Sequence, residues 1–78
     1  MKNQEDLQSD FIEKMISLRQ KKKLTQTELS IISGVSQPVI ARLEKSKTDP
    51  QLSTVIKLLH SMGAELTVNE YISSEFSH

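Results

Sequence analysis

The sequence predicts a small, mainly α-helical domain: a bundle of four to five helices followed by one C-terminal β-strand. Apolar residues recur at steps of three to four residues over most of the 78 residues, which is the spacing of amphipathic helices. Gly34 separates two such segments at a position suited to a tight turn. After Gly63 the pattern changes to alternating polar and apolar residues, which indicates a strand. A chain of this length forms one domain at most.

The first helix is predicted to begin near Leu7, after a flexible N-terminus over residues 1–6, and to end in the lysines at positions 21–23. Its apolar side comprises Leu7, Phe11, Ile12, Met15, Ile16 and Leu18. Lysines in a last turn suit the negative end of the helix dipole. They also place positive charge where a phosphate backbone could lie, so Lys23 is a candidate phosphate contact.

Residues 24–44, LTQTELSIISGVSQPVIARLE, predict two short helices joined by a tight turn. Thr25 and Glu28 have the spacing of a capping box, and Gly34 can take the left-handed conformation that ends a helix. Ser36 is expected to cap the second helix. The side chains expected to be buried here are Leu29, Ile32, Val35, Ile40 and Leu43. Helix, glycine turn and helix is the layout of a DNA-reading helix-turn-helix, so residues 7–63 are interpreted as a DNA-binding domain.

A last helix is predicted to open after Pro50, with Ser53 or Thr54 as its cap, and to end at Gly63. Its expected buried side chains are Leu52, Val55, Ile56, Leu59 and Met62.

Residues 64–72 are predicted to form a strand without a second strand in the chain to pair with. Because unpaired backbone groups are costly, we expect this strand to pair with its copy across a two-fold axis. The expected result is a homodimer whose interface includes Leu66, Val68 and Tyr71. The alternatives are a floppy tail or one more helical turn. Residues 73–78 are expected to be a flexible tail.

The formal net charge is zero, but the charges are unevenly distributed. Residues 1–13 and 58–78 each carry a net charge of −3, whereas residues 14–57 carry nine basic against three acidic side chains, a net charge of +6. A local basic region is the electrostatic footprint that phosphate binding requires. An ordinary solvated surface with scattered charges is the alternative interpretation.

The sequence gives little support for catalysis, and we expect neither enzymatic activity nor a bound metal or cofactor. His60 and His78 are the only histidines, no acidic cluster has metal-ligand spacing, and no glycine-rich phosphate loop is present. The absence of cysteine excludes disulfides and is compatible with the cytoplasm, where we expect the protein. No apolar run is long enough to cross a membrane, and the polar N-terminal residues do not resemble a signal peptide.

The second helix of the motif would present its N-terminal residues to base edges in the major groove. Gln37 can bind adenine through two hydrogen bonds, and Arg42 can bind guanine O6 and N7. Val39 can contact a thymine methyl group, and Ser36 lies at the same end of the helix. These four residues are the predicted base-reading set; the alternative is that they are ordinary exposed helix residues.

The segment TQTELSIISGVSQPVIARLEKSKTDPQLSTVIKLLHSMG resembles the Xre/Cro family of phage-repressor-type helix-turn-helix domains. The resemblance covers about residues 11–64 and implies a lambda-repressor-like helical bundle. Ser30 departs from the usual alanine, and Pro38 occupies a position where many relatives carry a polar base-reading side chain.

This resemblance also implies roles for individual residues. Gln26 would contact a phosphate and brace Gln37, while Lys45 and Lys47 would lie in the loop that meets the DNA backbone. Arg19 and Glu44 match a pair that forms a structural salt bridge between the first helix and the reading helix.

The strand ELTV, which follows LHSMG after a single alanine, is similar to the C-terminus of antitoxins of the HipB and HigA kind. This second resemblance implies a dimeric repressor that binds double-stranded operator DNA and a cognate toxin. Ile31 and the acidic ends are candidates for the toxin contact. A stand-alone regulator without a toxin and a protein-interaction module without DNA binding are the alternatives.

Overall fold

The computed structural model describes residues 4–45 and 49–70 and contains four α-helices within these ranges. They are α1 (Gln4–Lys21), α2 (Gln26–Ser33), α3 (Gln37–Glu44) and α4 (Leu52–Ser61). The mainly α-helical prediction is therefore confirmed. The described part contains no strand, and residues 64–70 have no regular secondary structure in the single chain. Lys47, Tyr71 and the expected flexible tail lie outside the described residues.

The first helix begins at Gln4, earlier than the expected start at Leu7, and ends at Lys21. The turn that follows is closed by the N–H of Leu24, which donates to the carbonyl oxygen of Arg19 at 3.1 Å. Lys23 in this turn has a φ of 60°, a left-handed backbone conformation that costs free energy for residues other than glycine.

The hydrophobic core draws on every helix. Ile12 of α1, Leu29 of α2, Ile40 of α3 and Leu58 of α4 are each at most 2% exposed and belong to one cluster. The other buried members are Met15, Val35, Leu43, Val55, Leu59 and Met62. Each such side chain contributes about 1.5–3 kcal/mol through its removal from water. The core therefore joins α3 to the other three helices.

Four side chains that were expected in the core are exposed instead, namely Leu7, Ile32, Leu52 and Ile56. Leu58, which was not expected there, is almost fully buried. In α4 the apolar residues cover a wide arc of the helix, and α2 packs against only part of that arc. The exposed remainder includes Leu52 and Ile56. The predicted N-cap of α4, Ser53 or Thr54, was wrong, because Gln51 occupies that position and makes no side-chain cap hydrogen bond. Gly63 follows the C-cap Met62 with a φ of 76°, as expected for the end of the helix.

The helix contacts fix the position of α3. Helix α2 packs against both α3 and α4, and α1 packs against α3. One side of α3 is therefore covered, while residues on its opposite side remain exposed.

Candidate nucleic-acid interface

The α2–turn–α3 unit begins with the predicted capping box. The N–H of Glu28 donates to Oγ1 of Thr25 at 3.0 Å, and the N–H of Thr25 donates to Oε1 of Glu28 at 2.8 Å. Gly34 ends α2 in the left-handed conformation, with a φ of 77°, and its N–H donates to the carbonyl oxygen of Ser30. Val35 then turns inward and is buried. These local signals in the sequence correctly predicted the first half of the motif.

The start of α3 differs from the prediction. Ser36 occupies the N-cap position, but its side chain makes no cap hydrogen bond. Pro38 lies in the first turn, where its missing N–H removes no intrahelical hydrogen bond. The expected side-chain capping role of Ser36 was therefore wrong, and this residue is exposed at the start of the helix.

Three of the four predicted base-reading residues lie together on the exposed side of α3. Ser36, Val39 and Arg42 follow one another at three-residue steps, which places them on one face of a helix. All three are exposed, with 38% of the Val39 surface accessible. Gln37 is half-buried and faces α2, to which it is hydrogen-bonded. Gln37 therefore lies on a different side of α3 from the other three predicted base-reading residues.

A cleft of about 290 Å³ runs beside this exposed face. Val39 and Arg42 line one wall, and Asp49 and Pro50 line the other. The side-chain amide of Gln8 in α1 donates to Oδ1 of Asp49 at 3.2 Å, which ties this second wall to the first helix. The cleft separates the outward face of α3 from the segment that leads into α4.

Partly buried polar contacts hold the opposite side of α3. The Arg19 guanidinium binds the Glu44 carboxylate through two hydrogen bonds of 2.7 and 3.0 Å. It also donates to the carbonyl oxygen of Leu24 at 2.7 Å. Only 13% of the Arg19 side chain and 11% of the Glu44 side chain are exposed, so solvent screens this pair weakly. The ion pair implied by the family resemblance is therefore present, and it joins α1 to the end of α3.

The same carboxylate also holds the start of α2. Nε2 of Gln26 donates to Oε1 of Glu44 at 2.9 Å, and Oε1 of Gln26 accepts from Nε2 of Gln37 at 2.8 Å. The bracing of Gln37 by Gln26 is thus observed. The bond from Gln26 to Glu44 was not anticipated, because it joins residues 18 positions apart and has no local sequence signal.

The predicted phosphate contacts are distributed around this unit. Lys23 lies in the turn before α2, and Lys45 lies directly after α3; both side chains are exposed. Gln26 is half-buried at the first position of α2. Both cations therefore flank the helix pair at its surface.

Other kinds of site find no geometric support within the described residues. No group of three or more histidine, aspartate or glutamate side chains comes together there in a way that could hold a metal ion. No helix in the described ranges has the length and apolar character needed to cross a membrane.

The chain matches a known protein family and a solved structure. The family model described as "Helix-turn-helix" matches residues 15–69. A solved structure titled "Toxin-Antitoxin module from Streptococcus pneumoniae" superimposes with a TM-score of 0.74 at 44% sequence identity. The match covers 91% of this chain and 83% of that chain.

Two curated relatives extend the comparison. An "Uncharacterized HTH-type transcriptional regulator" from Haemophilus influenzae is 43% identical over 63 residues, which is 81% of this chain. "Antitoxin HigA1" from Mycobacterium tuberculosis is 34% identical over 56 residues, which is 72% of this chain. The chain spans 64% of the length of the first relative and 38% of the second. These matches confirm the resemblance to Xre-type domains and to HigA-type antitoxins, and the chain belongs to the helix-turn-helix family.

Proposed function

We propose that this protein is a sequence-specific DNA-binding repressor. The proposal rests on the two sides of α3, one of which packs against the domain while the other is exposed. Ile40, Leu43 and Glu44 attach the helix to the domain, whereas Ser36, Val39 and Arg42 remain exposed along one face. A recognition helix needs this combination of a fixed position and a free face to enter the major groove. The excess of positive charge over residues 14–57 favours the approach to phosphate.

The test is binding to the DNA upstream of the protein's own reading frame, measured at several salt concentrations. We expect the logarithm of the affinity to fall linearly with the logarithm of the salt concentration, because phosphate contacts release counterions. The Arg42→Ala variant should lose about 1–3 kcal/mol at the specific site and much less on random DNA. Equal losses on both DNAs would assign Arg42 to the phosphate backbone, and the absence of any salt-dependent binding would favour an interaction module without DNA binding.

The proposed repressor acts as a homodimer paired through residues 64–72. No hydrogen bond joins the backbone of residues 65–70 to another described residue, and Val68 is 94% exposed. Leu66 is exposed as well. Pairing with a second copy would satisfy these backbone groups and bury both side chains. Two recognition helices would then meet successive major grooves about 34 Å apart on a palindromic site.

The dimer is tested by sedimentation of chains with a single charge introduced into this segment. We expect Val68→Asp to shift the protein towards monomer and to weaken operator binding. The matched control is Thr67→Asp, since neighbouring strand residues point to opposite faces. If the chain lacking residues 65–78 still sediments as a dimer, the interface lies elsewhere, and the exposed Leu52 and Ile56 of α4 become its first candidates.

The relatives support a more specific role as the antitoxin of a toxin–antitoxin pair, which binds its toxin and represses their shared operon. The acidic ends of the chain suit a basic partner, and Ile31 is 75% exposed on α2. Co-expression with the product of the neighbouring gene should yield a stable complex and suppress its toxicity. Ile31→Asp should weaken that complex, whereas Ile56→Asp on α4 serves as the control. A neighbouring metabolic gene would instead favour a stand-alone regulator.

A further inference from the structure

The orientation of the Gln37 amide is linked to a residue at the far end of α3. Gln37 and Glu44 are seven residues apart, nearly two full turns, so they lie on the same side of the helix about 10 Å apart along its axis. Gln26 of α2 spans this distance, with its Nε2 on Oε1 of Glu44 and its Oε1 on Nε2 of Gln37. The three side chains form a continuous hydrogen-bonded series, called here the amide relay.

The amide relay has a direction that Glu44 sets. An ionised carboxylate can only accept hydrogen bonds, and the Arg19 guanidinium already binds this one through two of its nitrogens. Gln26 must therefore turn its nitrogen towards Glu44 and its oxygen towards Gln37. Gln37 must in turn use its nitrogen to bind Gln26. The reversed arrangement would place the oxygen of Gln26 against the carboxylate.

This direction determines what Gln37 can offer to a base. After one N–H is used on Gln26, the amide retains one N–H and its carbonyl oxygen. Adenine presents an acceptor at N7 and a donor at N6 in the major groove, which matches this pair. Guanine presents acceptors at both N7 and O6 and calls for two donors. Only an amide that is anchored through its oxygen would present two N–H groups.

We propose that Glu44 is a specificity-determining positioning residue, which makes adenine rather than guanine the preferred partner of Gln37. Glu44 achieves this without contacting the DNA, through the direction that it imposes on the amide relay. The inference rests on the proposed function and adds to it the residue that sets the base preference of Gln37.

The experiment selects binding sites for the full chain from a randomised DNA library. Gln37→Ala identifies the position that Gln37 reads, because selectivity is lost there alone. At that position we expect the wild-type protein to favour adenine over guanine by about tenfold or more. Glu44→Gln introduces a side chain that can donate as well as accept, so both relay directions become available. The adenine-to-guanine ratio should fall below about threefold, while the preferences set by Arg42 stay unchanged.

Arg19→Lys separates this role from a structural one, because it weakens the ion pair but leaves the acceptor-only carboxylate in place. It should lower the unfolding temperature and keep the adenine preference. Ser30→Ala, outside the relay, is the neutral control. If Glu44→Gln does not fold, Gln26→Met interrupts the relay and should reduce the ratio in the same way.

An undiminished adenine preference in folded Glu44→Gln or Gln26→Met would overturn the inference. A wild-type preference for another base at this position would also overturn it, while DNA reading itself would stand. If the wild-type chain enriches no sequence at all, the proposed function fails together with the inference.

Discussion

Helices α2 and α3 have the same length of eight residues but are held in different ways. Helix α2 is secured by local contacts: a complete capping box at its start, a left-handed glycine at its end and one buried side chain, Leu29. Helix α3 has no side-chain cap at its start. It is secured by tertiary contacts, namely two buried side chains and the ion pair of Glu44 with Arg19 on α1.

The difference shows how a small domain can position a helix and still leave its first turn open. A side-chain cap at Ser36 would engage its hydroxyl group and a backbone N–H of the first turn. Long-range contacts on the covered side of α3 position the helix without using these groups. If this contrast is correct, core and ion-pair substitutions should affect α3 far more than changes at its N-terminus.

The largest effect is expected from Ile40→Ala, which removes a side chain with no exposed surface. The variant should lose about 2–5 kcal/mol of unfolding free energy, from transfer and from the cavity left behind. That is a large part of the total stability of a domain of this size. Urea denaturation followed by circular dichroism measures it. Ile31→Ala, at a 75% exposed position, is the control and should change stability by less than about 0.5 kcal/mol.

Glu44→Ala should have the next largest effect, because it leaves the mostly buried Arg19 without its charged partner. We expect a loss of about 1.5–3 kcal/mol, the range for hydrogen bonds to charged groups. A double-mutant cycle with Arg19→Met measures the coupling between the two residues. Additive losses would mean that the pair does not couple α1 to α3, and the comparison between the two helices would fail.

The smallest effects compare the two N-caps directly. Thr25→Ala removes an observed cap and should destabilise the protein by about 1 kcal/mol. Ser36→Ala removes no cap hydrogen bond and should change the stability by less than about 0.5 kcal/mol. The stability of both variants is measured by thermal unfolding in the same buffer. Equal destabilisation would show that Ser36 caps α3 in solution and would remove the contrast.

The features that the sequence predicted correctly depend on neighbouring residues. Thr25, Glu28 and Gly34 act through contacts within four positions, so their roles can be read from residue type and spacing. In a helix with a wide apolar arc, such as α4, the packing of another helix decides which part of the arc faces the core. For this reason Leu52 and Ile56 were placed in the core incorrectly, while Leu58 was missed.

The candidate site shows the same division. Val39 and Arg42 belong to the predicted base-reading set and lie on one exposed face, because a three-residue step fixes their relative direction. The pairing of Arg19 with Glu44 came only from family resemblance, since 25 residues separate them. The bond from Gln26 to Glu44 was missed, because it depends on how α2 and α3 cross.

In the turn between α1 and α2, the proposed DNA binding would favour one residue at position 23 and stability another. The left-handed backbone of Lys23 costs about 1–2 kcal/mol for a residue with a β-carbon, and glycine would avoid this cost. Glycine would also remove a cation that is a candidate phosphate contact in the proposed DNA complex. Selection for a more stable domain and selection for tighter DNA binding would therefore choose different residues at this position.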